Sequence, residues 1–169
     1  IIGVIALGAI TSGLKASSVE MAHTGGADFM VAQKGAADLS FSTLPASDIA
    51  SVAATPGVSA AWGVLIHISR VASVPYFFTY GVEPTSFDQL DLTIARGRVP
   101  RGSRELLIGV KVAGDLGLDV GSTVVVEHTT LEVVGVFEGG GRYQQLGGYT
   151  LLATAQALAR RGDTVTVVY

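Results

Sequence analysis

The chain has 169 residues, enough for one domain of ordinary size or for two small lobes that share a core. Its composition, 49% hydrophobic and 15% charged, excludes a disordered chain, and its lack of cysteine excludes disulfides, Cys-ligated zinc and a thiol nucleophile. The net charge of -3, with 11 scattered Lys and Arg residues, predicts no nucleic-acid partner.

An apolar run, I-I-G-V-I-A-L-G-A-I-T-S-G-L, occupies residues 1–14. It is shorter than the ~20 residues that cross a bilayer core, so we interpret it as the outer end of a transmembrane helix. A signal-peptide core and a buried helix remain alternatives. Residues 15–23 are predicted to continue as a helical stalk, which Gly25 and Gly26 end.

The next part of the chain predicts the order strand, helix, strand. Residues 27–34 are predicted to form a short apolar strand. Ile49 and Val52 lie at helical spacing, and Pro56-Gly57 closes that helix. Residues 58–71 are rich in apolar and β-branched side chains and are therefore predicted to form a long strand.

The middle of the chain is rich in strand-forming residues. A short helix is predicted at residues 110–116, because Gly117 provides its stop. Residues 96–98, which precede Pro100, are predicted to be a loop. Strands are predicted at residues 75–82, 105–108, 122–127 and 131–137, the last two as a hairpin.

The last part of the chain repeats the order of the first. A flexible loop at 139–148 precedes a strand at 149–152, and Thr154 is predicted to cap a helix at 155–161 before a final strand at 164–169. The sequence thus predicts an α+β fold in which a β-rich segment is inserted into a split α/β lobe.

Four segments carry a resemblance to a known family. They are A-D-F-M-V-A-Q-K-G at 27–35, A-T-P-G-V at 54–58, I-A-R-G-R at 94–98, and the pair V-G-S-T-V-V-V and L-E-V-V-G-V-F at 120–126 and 131–137. In this order and spacing the chain resembles, over nearly its whole length, the extracytoplasmic core domain of MacB/FtsX-like ABC-transporter permeases.

The resemblance implies a domain organisation. The end of a transmembrane helix and its stalk would occupy residues 1–24. A porter-like split βαβ lobe would occupy 25–72 and 149–169. A smaller β-rich lobe, called Sabre in the family, would be inserted at 73–148.

The resemblance also implies a function. The chain would be a non-catalytic domain on the extracytoplasmic, periplasmic side of the cell (inner) membrane. It would couple ATP-driven motion of membrane helices to substrate export, to lipoprotein or lipid handling, or to signalling. The implied partners are a cytoplasmic ABC ATPase, a second permease copy or paralogue, and the membrane. The alternatives are a membrane-anchored binding or adaptor domain without an ATPase and a small anchored hydrolase.

No residue pattern points to catalysis, a cofactor or a metal. His23, His67 and His128 lack the HExxH or HxH spacing of a metal site. No G-x-S-x-G motif is present, and the glycines at 139–141 are not followed by the G-K-[ST] ending of a phosphate loop. We therefore predict that the chain is not an enzyme.

The loop at 139–148 is the best candidate for a surface that contacts a partner or substrate, although an idle linker is the alternative. Its candidate contact residues are Arg142, Tyr143, Gln144 and Gln145.

The stalk is the candidate for coupling to the membrane, because a lobe fixed to a continuous helix moves as a unit with it. Its candidate coupling residues are Leu14, Lys15, Val19 and Met21.

A run of aromatic residues, Tyr76, Phe77, Phe78 and Tyr80, is predicted to feed the core. The alternative interpretation is that these residues line a hydrophobic substrate path.

Overall fold

The computed structural model describes residues 26–169, so the expected membrane-helix end and stalk at 1–24 lie outside the described part of the chain. The described part contains three α-helices: α1 (Asp48–Ala53), α2 (Val110–Leu116) and α3 (Leu152–Ala159). Within residues 26–169, no helix has the length and apolar character needed to span a membrane.

The strands are β1 (Leu44–Pro45), β2 (Gly63–Val71), β3 (Val74–Val82), β4 (Leu92–Gly97), β5 (Glu105–Gly109), β6 (Thr123–Val126), β7 (Thr129–Gly139), β8 (Gly147–Leu151), β9 (Thr164–Val165) and β10 (Val167–Val168). Eight of them form one sheet in the order β10-β2-β3-β8-β5-β7-β4, with β6 also paired to β7. The pairs β3/β8 and β5/β7 are parallel, and the others in this sheet are antiparallel. Strands β1 and β9 form a separate antiparallel pair.

Successive side chains along a strand point to opposite faces of the sheet, and buried side chains pack on both of these faces. On β2, Val64 and Ile66 belong to a cluster rich in aromatic rings, whereas Leu65 packs toward α3. The other face is mainly aliphatic: Val112 of α2 is buried together with Leu106 of β5. The α+β fold expected from the sequence is therefore confirmed.

Helix α3 approaches the sheet closely because β3 carries a glycine beneath it. A Cβ atom built on Gly81 would lie 2.3 Å from the Cβ of Ala155. Helix α2 begins and ends at the residues expected from the sequence, and Gly117 caps it in the left-handed conformation at φ 64°.

Several local predictions are wrong. The strand predicted at 58–71 begins only at Gly63, and the final strand predicted at 164–169 is two short strands, β9 and β10, in different sheets. Residues 27–34 form no strand; only Val31 pairs, with Val168, because β10 is too short to extend the ladder. Arg96 and Gly97 belong to β4, since their backbone pairs with β7. Thr154 does not cap α3, which begins at Leu152.

One sheet runs through the segments expected to form two lobes. Strand β2 lies before residue 73 and pairs with β3 after it, and β8, which is partly beyond residue 148, pairs with both β3 and β5. The division into a porter-like lobe at 25–72 and 149–169 and an inserted lobe at 73–148 stays a prediction.

A candidate contact surface at residues 139–146

The loop between β7 and β8 lies beside the start of α2. Glu138 and Gly139 at the end of β7, Val110 and Lys111 of α2, and the loop itself line an open groove of about 780 Å³. Apolar and charged side chains meet here, which suits an exposed recognition surface. The four residues predicted to make contacts all belong to this loop, but the structure gives them different environments.

Two of the four hold the loop in place. Gln144 is buried, and its Oε1 accepts a hydrogen bond from the backbone N–H of Gly141. Gln145 is half-buried; its Nε2 donates to the carbonyl of Gly139 at 2.6 Å, and its Oε1 accepts from the N–H of Lys111 at 3.4 Å. The glutamines therefore bind the loop to itself, to β7 and to α2.

Glycine allows this loop to approach the neighbouring backbone. A Cβ atom on Gly147 would lie 1.8 Å from the carbonyl oxygen of Phe78, and one on Gly109 would lie 2.9 Å from the Cα of Gln145. Real Cβ atoms do not tolerate the first distance against backbone, so a larger residue at 147 would force β8 away from β3.

The other two predicted residues face outward. Arg142 and Tyr143 are both exposed, Tyr143 by 38% of its surface. The Tyr143 ring nevertheless contacts Phe78, with centroids 5.4 Å apart and planes tilted by 56°. An aromatic side chain supported from below and exposed above is typical of residues that anchor protein contacts.

Beneath Tyr143 a row of rings continues into the core. Phe78 contacts Tyr80, Tyr80 stacks on Tyr149 at 5.0 Å, and Tyr149 meets Phe137 edge-on at 5.5 Å. Burial raises the pKa of Tyr80 and of Tyr149, although a hydrogen bond with Gln144 opposes the shift at Tyr149. Both phenols are therefore neutral near pH 7.

The aromatic run 76–80 thus divides in two. Phe77 and Tyr80 are buried, in different clusters, as expected for a core strand. Tyr76 is 67% exposed at the start of β3, and Phe78 lies between these extremes.

The loop between β4 and β5 is held differently. The guanidinium of Arg98 donates two hydrogen bonds of 2.7 Å to the carboxylate of Glu105, which also accepts from the backbone N–H of Arg101 at 2.7 Å and of Gly102 at 3.1 Å. The Arg98 bond and then the Arg101 bond lower the pKa of Glu105 to about 2. Sequence reasoning missed this carboxylate clamp, although an Arg and a Glu around P-R-G-S would have been its signal.

The two histidines among residues 26–169, His67 and His128, do not form part of a metal site. His67 Nε2 lies 2.9 Å from Glu127 Oε1, and His128 follows in the β6–β7 turn. Among residues 26–169, no group of three His, Cys, Asp or Glu side chains is placed to hold a metal ion. His23 lies outside this range, as do the predicted coupling residues Leu14, Lys15, Val19 and Met21.

The comparison with models of protein families identifies one family. The model of the MacB-like periplasmic core domain matches residues 1–169. No curated protein sequence matches the chain.

Two solved structures share the fold. The extracellular domain of the noncanonic ABC-type transporter YknZ from Gram-positive bacteria is similar with a TM-score of 0.63 at 17% identity, over 82% of this chain and 79% of that one. The periplasmic region of MacB from Actinobacillus actinomycetemcomitans is similar with a TM-score of 0.60 at 16% identity, over 74% of this chain. The alignment covers 63% of that MacB region. Since the family model spans every residue, the chain belongs to the family of MacB-like periplasmic core domains.

Proposed function

We propose that this chain is the extracytoplasmic domain of an ABC-transporter permease subunit and that it carries no catalytic site. The observation that supports the proposal most strongly is the family match over residues 1–169. The fold shared with the extracellular domain of an ABC-type transporter adds to it. In this account ATP is hydrolysed by a cytoplasmic ATPase, and the domain responds to the motion of membrane helices.

The partners in this proposal are the cytoplasmic ATPase, a second copy of the permease or a paralogue, and the membrane. The test is purification of the full native protein from its own membranes. We expect an ABC ATPase to co-purify in fixed stoichiometry and to hydrolyse ATP. A protein that purifies without an ATPase would instead support a membrane-anchored adaptor.

The coupling path in this proposal begins at the stalk. Leu14, Lys15, Val19 and Met21 precede the described residues, and we infer that a tilt of this segment moves the sheet as a rigid body. The sheet suits this role because β2 pairs with β3, β3 pairs with β8, and a cluster of buried side chains packs on each face of the sheet.

The outer contact is proposed to lie at Arg142 and Tyr143. Both side chains are exposed, whereas the loop that carries them is fixed by Gln144 and Gln145. A fixed loop presents its contact residues at a lower conformational-entropy cost than a free one. Cargo or partner would meet the domain at this groove.

A photo-reactive residue at position 143 of the full native protein tests this contact. We expect it to form a discrete adduct in membranes, whereas the same residue at position 76 forms none. Tyr76 is a stringent control because it is more exposed, at 67% against 38% for Tyr143. Equal adduct yields at both positions would contradict a contact specific to the loop.

A further inference from the structure

A second groove lies between β2, the turn that joins β6 to β7, and the end of α3. It has a volume of about 500 Å³ and shares no lining residue with the groove at the contact loop. Residues 157–159 of α3 form its apolar wall. The rest of its lining is polar and consists of His67, Glu127, His128, Thr129 and Arg160. We call it the His67 groove.

The carboxylate of this groove is already engaged. Glu127 Oε1 lies 2.9 Å from His67 Nε2, and both side chains are partly exposed, at 37% and 20%. When the imidazole carries a proton, the two charges balance each other. Glu127 therefore does not neutralise the remaining basic groups of the groove.

Two basic side chains of the groove are not engaged. Among residues 26–169, neither the guanidinium of Arg160 nor the imidazole of His128 has an ion-pair or hydrogen-bond partner. The neighbouring Arg161 differs, because its guanidinium donates to the carbonyl of Ser42 at 2.7 Å and to the hydroxyl of Thr43. One arginine thus holds the fold together, and the other lines the groove.

Two of the polar residues hold a strained backbone. Glu127 in the β6–β7 turn and Arg160 after α3 both have φ 53°, in the left-handed region. Glycine is the usual residue at such turn and helix-end positions, and other residues adopt this conformation at a cost in free energy. Charged side chains therefore stand at two positions where glycine would be less strained, and both line the same groove. Strain of this kind is typical of functional sites.

We propose that the His67 groove binds a small organic acid, whose carboxylate accepts hydrogen bonds from the guanidinium of Arg160 and the imidazole of His128. A guanidinium offers a carboxylate two parallel hydrogen bonds. The volume of the groove lies within the range of small-molecule sites, and the wall at 157–159 suits the hydrocarbon part of the ligand.

The charges of the groove favour a carboxylate over a phosphate. A singly charged carboxylate matches the single arginine of the groove. A phosphate carries up to two negative charges, so Glu127 would repel it more strongly. A ligand here would also join three elements that are distant in the sequence: β2, the β6–β7 turn and the end of α3.

The test is an NMR titration of the full chain in detergent micelles with sodium propionate, at pH 6.5 and constant ionic strength. It follows the imidazole Cε1–H signals of His67 and His128, which the variants His67→Gln and His128→Gln assign. We expect the His128 signal to shift along a saturating curve with its midpoint in the millimolar range.

Arg160→Gly separates binding from folding. It removes the guanidinium and also relieves the left-handed strain, so the melting temperature should stay the same or rise. We expect propionate to bind at least about fivefold more weakly to this variant. The control is Arg70→Gln, which changes an exposed arginine of β2 outside the groove and should bind as the wild type does.

A His128 signal that moves without saturation would overturn the proposal, as would equal binding by the wild type and Arg160→Gly. Sodium phosphate is the second titrant and should bind severalfold more weakly than propionate. Tighter binding of phosphate would overturn the assignment to a carboxylate. The titration requires neither ATP nor an ATPase, so this site and the permease function can fail separately.

Discussion

Two loops that lie at opposite ends of the antiparallel β5/β8 pair are fixed by different means. Residues 98–104, before β5, are held by an ionised carboxylate, that of Glu105, which accepts four hydrogen bonds. Residues 140–146, before β8, are held by neutral amides and by the close approach of glycine to backbone. The first arrangement depends on pH, because the Glu105 carboxylate must be ionised. The second is insensitive to pH, but a Cβ atom added at Gly147 would collide with the carbonyl oxygen of Phe78.

The two loops also differ in how many polar groups they leave free to contact a partner. The Glu105 carboxylate accepts hydrogen bonds from Arg98 and Arg101 of its own loop, so its oxygens have little remaining capacity to accept from a partner. In the other loop Gln144 is buried and Gln145 is half-buried, whereas Arg142 and Tyr143 are exposed. This division of roles is why the second loop, and not the first, is the proposed contact surface.

The largest expected effect is that of Gly147→Ala. The new Cβ would lie 1.8 Å from the carbonyl oxygen of Phe78, so β8 must separate from β3. We expect a loss of at least about 3 kcal/mol in the free energy of unfolding, measured by urea denaturation.

The matched control is Gly114→Ala. A Cβ atom on Gly114 meets no atom within 4 Å, and the residue lies inside α2. This substitution should stabilise the protein by ~0.5–1 kcal/mol, because alanine has the higher helix propensity. If both variants lose stability equally, the close approach at Gly147 is not the cause.

A smaller effect is expected for Gln144→Ala. It leaves the backbone N–H of Gly141 without its acceptor and removes the hydrogen bond to Tyr149. We expect a loss of about 1–2 kcal/mol in the free energy of unfolding, equal at pH 4 and pH 8 because the groups are neutral. The exposed Gln89→Ala should change the stability by less than ~0.5 kcal/mol. A loss at Gln144 that varies with pH would contradict a neutral anchor.

The smallest effect is expected for Glu105→Gln, and it should depend on pH. The folded protein lowers the pKa of Glu105 from 4.5 to about 2, so the stabilisation is present above pH 4.5 and is lost as the pH falls through about 2. We expect a loss of ~1 kcal/mol in the free energy of unfolding at pH 7, since the carboxylate is near the surface. The difference from the wild type should shrink steadily below pH 4.5 and be small by pH 2.

Urea denaturation of both proteins between pH 7 and pH 2 measures this. Glu83→Gln is the control, because Glu83 is exposed and its side chain makes no cap hydrogen bond. A Glu105 effect that persists unchanged at pH 2 would show that the carboxylate charge is not what holds residues 98–104.

The sequence predicts elements well where local signals are complete. Helix α2 agrees to the residue because Gly117 supplies the left-handed cap, and β3 agrees within one residue because its apolar run ends before Pro84. The prediction of a strand at residues 27–34 is wrong because a strand needs a partner to pair with, and β10 has only two residues. The prediction that Thr154 caps the helix is wrong because the helix already begins at Leu152; inside it, the Thr154 hydroxyl donates to the carbonyl of Ser103 at 2.9 Å, a contact between distant parts of the chain.

The candidate site was predicted only in part for the same reason. The glycines around residues 142–145 indicated an exposed loop, and Arg142 and Tyr143 are exposed. No local signal indicates that the Gln144 side chain is buried, because its hydrogen bond with Tyr149 forms only once β8 is packed in the sheet. The ion pair between Arg98 and Glu105 likewise depends on the position of Arg98 at the end of β4, which the sequence alone does not give.

The central claim is that ATP-driven motion at the membrane moves this domain and its contact loop. The chain contains no cysteine, so Arg142→Cys provides a unique position in it for a fluorescent label. In the full native protein with its ATPase in lipid nanodiscs, we predict that ATP binding changes the label's emission. A flexible Gly-Ser insertion within residues 14–24 should abolish that change while ATP hydrolysis continues. An emission that ATP leaves unchanged, or a change that survives the insertion, would contradict the account.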